Sequence, residues 1–118
     1  MSQMTIFHNP RCSKSREALK ILEQNNIDTK VVKYLEQQPS QAELKNIFTM
    51  LNLTSVREMM RTKEDVYKEL DLKNENDENK LLQAMAEHPK LIERPILIKG
   101  DKAIIARPPQ KAEEFLNS

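Results

Sequence analysis

Glycine, cysteine and tryptophan are the scarce residues of this chain, and each shortage excludes something. Glycine occurs once, at Gly100. Glycine-rich phosphate loops need several glycines so that the backbone can approach the ligand, which excludes a nucleotide-binding loop of that kind. Cysteine also occurs once, at Cys12. A single thiol rules out an internal disulfide framework and points to a reducing compartment, with the cytoplasm as the default. With His8 and His88 as the histidines, soft ligands are too few for a closed structural zinc site. No metal and no bound cofactor are expected. Tryptophan is absent, and three Phe and two Tyr leave little for base stacking. No apolar run approaches the ~20 residues of a membrane span. The N-terminus lacks the basic and apolar regions of a secretion signal. A net charge of +1 gives no electrostatic bias toward nucleic acid or anionic membranes.

What is present fits one domain with a modest core. The chain has 118 residues, 38% of them hydrophobic and 31% charged. A monomer is expected. Met4 to His8 reads as a short buried strand, which Asn9-Pro10 breaks. A helix starts near Ser13 to Ser15 and runs to about Asn25, with Ala18, Leu19, Ile21 and Leu22 as its apolar face. Thr29 to Leu35 is a second strand, so the opening is a parallel βαβ crossover. Ser40-Gln41-Ala42-Glu43 and Ser55-Val56-Arg57-Glu58 are capping boxes. They predict helices over 41–52 and 56–61. A third helix ends near Leu70, and a fourth runs from Asn76 or Asp77 to Glu87, before Pro89. Residues 38–89 thus form a helical insertion. Met50, Met59, Met60 and Met85 within it read as core filler. Pro95 to Lys99 and Lys102 to Ala106 form a hairpin about a Gly100-Asp101 turn. A last helix covers about 109–117. The order βαβ, helices, ββα gives an α/β class with a mixed sheet, the arrangement of a thioredoxin-like fold carrying a helical insert.

Cys12 stands where this arrangement would bind a ligand, in the first loop at the carboxyl end of a strand. Arg11, Ser13, Lys14 and Ser15 around it are polar, which argues against a buried, inert thiol. A cysteine at a helix N-terminus beside cations drops from ~8.5 toward the ~3.5–7.5 range of reactive thiols. Ser15 sits where a dithiol oxidoreductase would keep its second cysteine. Its hydroxyl either donates to the thiolate or to a bound oxyanion, or simply caps the helix. His8 either tunes the thiol and shuttles protons or is merely hydrogen-bonded. A tyrosine-phosphatase loop fails on spacing: it needs arginine six positions after the cysteine, where Ala18 stands, and Arg16 is at four.

Hairpin register supplies a second cluster. With Gly100 and Asp101 in the turn, Lys99 faces Lys102 and, counting outward, Arg94 faces Arg107. Like charges opposite one another repel, which makes sense if an anion lies between them. The other reading is two solvated arginines, each paired with a carboxylate such as Glu93. Arg61 ends a predicted helix, where a cation complements the dipole, and the residues alone give it no further role.

Together these residues resemble the arsenate reductase (ArsC) family of the glutaredoxin-linked, thioredoxin-fold type. The resemblance rests on His8-Asn9-Pro10-x-Cys12-x-x-Ser15-Arg16, Tyr34-Leu35-Glu36, Arg61, His88-Pro89 to Glu93-Arg94-Pro95, and Arg107-Pro108. It implies Cys12 as nucleophile, with Arg61, Arg94 and Arg107 holding arsenate or a similar oxyanion. It also implies His8, Ser15, Arg16 and Pro95 in support, and a cis Arg94–Pro95 bond. Glutathione is implied as co-substrate and glutaredoxin as partner. The chain departs from the family's best-known members, which carry a small residue before the cysteine and Gly-Thr after it. Here Arg11 and Ser13-Lys14 stand there, as in a related subgroup. Two other classes remain open: a glutathione-dependent thiol oxidoreductase on another substrate, and a non-catalytic regulator resembling Spx. The latter type senses oxidation through C-x-x-C, whose second position is Ser15 here.

Overall fold

The computed structural model describes residues 4–116. Of these, the residues up to Gln37 and from Arg94 onward form one compact unit, and Gln38–Glu93 forms a second.

The first unit is built on a four-stranded sheet. Its strands are β1 (Met4–Phe7), β2 (Thr29–Val32), β3 (Ile96–Lys99) and β4 (Lys102–Ile105), in the order β2-β1-β3-β4. β1 and β2 are parallel and joined through helix α1 (Ser13–Gln24), whereas β3 is antiparallel to both β1 and β4. This is the thioredoxin-like arrangement. Met4 and Ile6, two residues apart, share one face with Leu97, which lies opposite Ile6. That face packs on Ala18 and Leu22 of α1, and on Ala112 and Phe115 of the last helix, Lys111–Leu116. Ala18 and Leu22 are one helical turn apart, so a single stripe of α1 is buried.

The hairpin has the expected register, with Lys99 opposite Lys102 and Ile98 opposite Ala103. Gly100 has φ of 62°, the left-handed region that a glycine-first two-residue turn requires.

Three boundaries differ from the sequence expectation. β2 ends at Val32 rather than Leu35. Beyond it the N–H groups of Glu36 and Gln37 turn back onto the Lys33 carbonyl at 2.9 and 2.8 Å. Tyr34 is therefore a turn residue, its ring fully buried and stacked on Phe7 with centroids 6.3 Å apart. The last helix begins at Lys111, after a turn in which Pro108 and Pro109 carbonyls accept the first N–H groups. Its expected last position, 117, lies outside the described residues.

The third difference falls in the second unit. The helix expected over 56–61 is a 3-10 helix, Val56–Met59. Its capping box forms between Ser55 and Glu58. The chain then leaves the helix because Met60 pairs as an isolated bridge with Ile92, while Arg61 N–H donates to Leu91 O at 2.7 Å. Helices α2 (Gln41–Leu51), α3 (Asp65–Glu69) and α4 (Glu78–Glu87) complete this unit, and the Lys111–Leu116 helix is α5. α2 carries the Ser40–Glu43 capping box and Asp77 caps α4. Leu44 and Ile47 of α2 and Leu81, Leu82 and Met85 of α4 are buried, as are Met59 and Met60, while Met50 is half-buried. Among the described residues no helix is long and apolar enough to cross a membrane.

The conformation of Gly100 is testable. Nothing lies within 4 Å of a Cβ built there, so a side chain meets no clash and only backbone strain remains. Gly100→Ala should lower stability by about 1–2 kcal/mol in urea denaturation. An unchanged midpoint would mean that the turn does not need a left-handed residue.

Candidate active site

β1 delivers the chain to the site and α1 leads it away. Between them, residues 9–12 are tied to themselves. Arg11 N–H donates to Asn9 Oδ1 at 3.0 Å, and Cys12 N–H donates to the Asn9 carbonyl at 3.0 Å. Asparagine before proline commonly makes such a turn with its own side chain. His8 N–H donates to Val32 O at 2.8 Å, which fixes this loop beside the end of β2.

Cys12 is the N-cap residue of α1, with extended backbone angles (φ −95°, ψ 121°). Its half-buried thiol makes no capping hydrogen bond of strict geometry. Burial pushes the thiol's pKa up, but three influences outweigh it. The Ser15 N–H, the Arg94 guanidinium and the Lys14 N–H all favour the thiolate, so the net shift is downward. This combines a helix start with one cation. The cation differs from the expectation, however: it is Arg94, whereas the side chains of Arg11 and Lys14 are exposed.

Ser15 contributes differently from the expectation too. It is fully buried, and its hydroxyl oxygen lies 2.7 Å from His8 Nδ1 while accepting the Asn9 N–H at 3.0 Å. It is the backbone N–H of Ser15 that serves the sulfur. Burial, with Lys33 and Arg16 nearby, lowers the pKa of His8 against a smaller opposing pull from Glu23. The lowered pKa favours the neutral imidazole, whose Nδ1 shares a hydrogen bond with the Ser15 hydroxyl. Arg16 is exposed on α1 and acts on His8 through its charge.

Arg94 ends the long excursion of the chain and precedes β3. Burial opposes its charge, but Cys12 and Tyr34 both interact with the guanidinium and raise its pKa overall. Tyr34 is the residue that sequence reasoning missed. It sits in an apolar run that reads as strand, and its only signal was membership of Tyr34-Leu35-Glu36. Pro95 follows through a cis bond, and the Arg107–Pro108 bond is cis as well.

Arg107 does not sit opposite Arg94 in the ladder. Pairing continues to Ala106 N–H on Pro95 O at 2.9 Å, and then Arg107 N–H turns back to Ile105 O. The guanidinium Nη1 of Arg107 instead donates to the Arg94 carbonyl at 3.2 Å. The Arg107 guanidinium is thus held on the backbone of the residue whose own guanidinium serves Cys12. In the second unit, Arg61 pairs with Glu64 at 3.4 Å and with Glu93 at 3.6 Å. Glu93, expected beside the hairpin arginines, thus pairs with Arg61.

The sequence profile of the ArsC family matches residues 7–115. The chain belongs to the ArsC family. An arsenate reductase of Neisseria meningitidis serogroup A is 53% identical over 117 residues, covering 98% of this chain and all of that one. An arsenate reductase of Escherichia coli is 34% identical, covering 98% of this chain and 82% of that one. The solved structure of an arsenate reductase from Vibrio cholerae superposes with a TM-score of 0.92 at 50% identity, covering 95% of this chain and 96% of that one.

In this ArsC chain the first unit thus brings Cys12, Arg94 and Tyr34 into one electrostatic group, with Arg107 on the Arg94 backbone and His8 on Ser15. The lowered His8 pKa has a sign that can be checked. Its folded-state value lies below the unfolded value near 6.5, so between the two the unfolded chain binds a proton that the folded one does not. The associated stability is present above that unfolded value and falls as pH drops through and below it. Urea midpoints should therefore decline on going from neutral to mildly acidic pH, and His8→Gln should flatten the decline. An equally steep decline in the variant would assign the effect to another group.

Proposed function

We propose that this chain is an arsenate reductase in which the Cys12 thiolate is the nucleophile and external thiols supply the electrons. The observation that carries the reading is the pairing of the Cys12 sulfur with the Arg94 guanidinium at the start of α1. A thiolate next to a fixed cation is both activated for attack and placed where a tetrahedral oxyanion gains charge-assisted hydrogen bonds. The identity to arsenate reductases over nearly the whole chain supports arsenate as that oxyanion.

In this reading Cys12 sulfur attacks arsenic(V) and an oxygen leaves as hydroxide or water. Arg94 and Arg107 neutralise the charge on the remaining oxygens. Arg61 is a further proposed contact for the oxyanion, on the family resemblance alone. Glutathione then displaces a second oxygen, leaving arsenic bound to both sulfurs. The thiolate of a glutaredoxin attacks the glutathione sulfur, and the sulfur–arsenic bonding pair remains on arsenic as it becomes arsenic(III). The two thiols depart as a mixed disulfide. Water releases arsenite, and Cys12 is restored.

The lone cysteine supports this borrowing of thiols, since Ser15 stands where a resolving thiol would be and its hydroxyl is engaged by His8 and Asn9. No resident cofactor enters the scheme. A cytoplasmic monomer is the form this reading assigns to the protein.

A coupled assay with arsenate, glutathione and glutaredoxin tests the reading. Turnover should require all three, and Cys12→Ser should abolish it. Arg94→Ala should slow it by about 10²–10³-fold, the usual loss on removing one charge-stabilising group. Folded wild-type protein with a titratable thiol and no turnover would overturn it.

A further inference from the structure

A pocket of about 290 Å³ opens on the first unit beside the Cys12 loop. It lies at the carboxyl ends of the two parallel strands, β1 and β2, where open α/β sheets commonly hold ligands. One wall is His8 to Arg11, and the other is Lys33, Leu35 and Glu36. Both walls are fixed by their own hydrogen bonds: the Asn9 bonds described above, and the Lys33–Gln37 turn, in which Lys33 N–H also donates to Gln37 Oε1 at 3.2 Å. The mechanism derived from Cys12 and the arginines leaves this pocket unused.

Its chemistry is zwitterionic. Arg11 and Lys33 offer two cations and Glu36 offers one carboxylate, while Pro10 and Leu35 provide apolar surface. His8 adds one ring nitrogen, Nε2, because its Nδ1 is held by Ser15. Arg11 directly precedes Cys12 in the chain. The pocket wall thus runs directly into the segment that carries the sulfur.

We propose that this pocket binds the thiol co-substrate, a small zwitterionic peptide thiol with two carboxylates and one ammonium group, the class to which glutathione belongs. The carboxylates pair with Arg11 and Lys33, the ammonium pairs with Glu36, and His8 Nε2 hydrogen-bonds the peptide backbone. This assignment rests on the thiol-dependent reading above and adds where the thiol docks.

S-methylglutathione, which binds without reacting, separates docking from chemistry. Titrated into the full chain and followed by backbone amide NMR, it should shift the signals of Asn9, Arg11 and Leu35. Lys33→Glu should weaken that titration about tenfold, because a charge pair becomes a repulsion. In the coupled assay the same variant should raise KM for glutathione and leave KM for arsenate unchanged. Glu36→Lys, which removes the ammonium contact, should weaken the titration as well. Shifts confined to other residues, or the same affinity in both variants, would overturn the proposal. If the titration succeeds but arsenate is not turned over, the pocket stands and the arsenate reading falls. If arsenate is turned over but the titration fails, only the pocket assignment falls.

Discussion

A negative charge on the Cys12 sulfur is favoured by groups drawn from two ends of the chain. The N–H groups of Lys14 and Ser15 come from the helix that Cys12 itself starts, and Arg94 comes from the entry to β3. Burial works against the charge, and the two sources together outweigh it. Much of the first unit can be understood as holding these groups in register. β1 and β3 are neighbours in the sheet, with Phe7 opposite Ile96, which sets the chain before β3 near the loop after β1. Tyr34, stacked on Phe7 and interacting with the guanidinium, braces Arg94 from the β2 side.

The loop that carries the sulfur is held with comparable economy of parts. Ser15 receives the Asn9 N–H and meets His8, Asn9 receives the N–H groups of Arg11 and Cys12, and His8 is tied to the end of β2. A buried serine hydroxyl engaged in this way stiffens the loop and fixes the orientation of the histidine ring. An ordered loop keeps the helix N–H groups aimed at one place, and aimed donors are what make a helix start useful to an anion. Keeping His8 neutral also separates its role from that of a charge donor: the cation at the sulfur is an arginine, which does not titrate near neutrality.

Much of this was legible in the sequence where the determinants are local. The helix beginning after Pro10, the two capping boxes, the glycine-first turn and the pairing of Lys99 with Lys102 all follow from residues within a few positions of one another. The misreadings share a different origin. β2 stops early because Tyr34 leaves the strand to stack on Phe7, which an apolar run cannot disclose. The helix after Ser55 unwinds because Met60 finds a partner in Ile92. Arg11 and Lys14 lie next to the cysteine in sequence yet point outward, whereas Arg94 arrives from far along the chain. The Ser15 hydroxyl turned to His8 for a similar reason, since its partner is set by packing rather than by spacing.

The central claim is that ionisation of the Cys12 sulfur is favoured by the helix start together with Arg94. The rate of iodoacetamide alkylation as a function of pH, in the wild type and in Arg94→Ala, tests it most directly. The account predicts a wild-type midpoint below the ~8.5 of an unperturbed cysteine, an upward shift in the variant, and slower alkylation when arsenate is present. A midpoint equal to that of a free thiol, unmoved by the loss of Arg94, would contradict it.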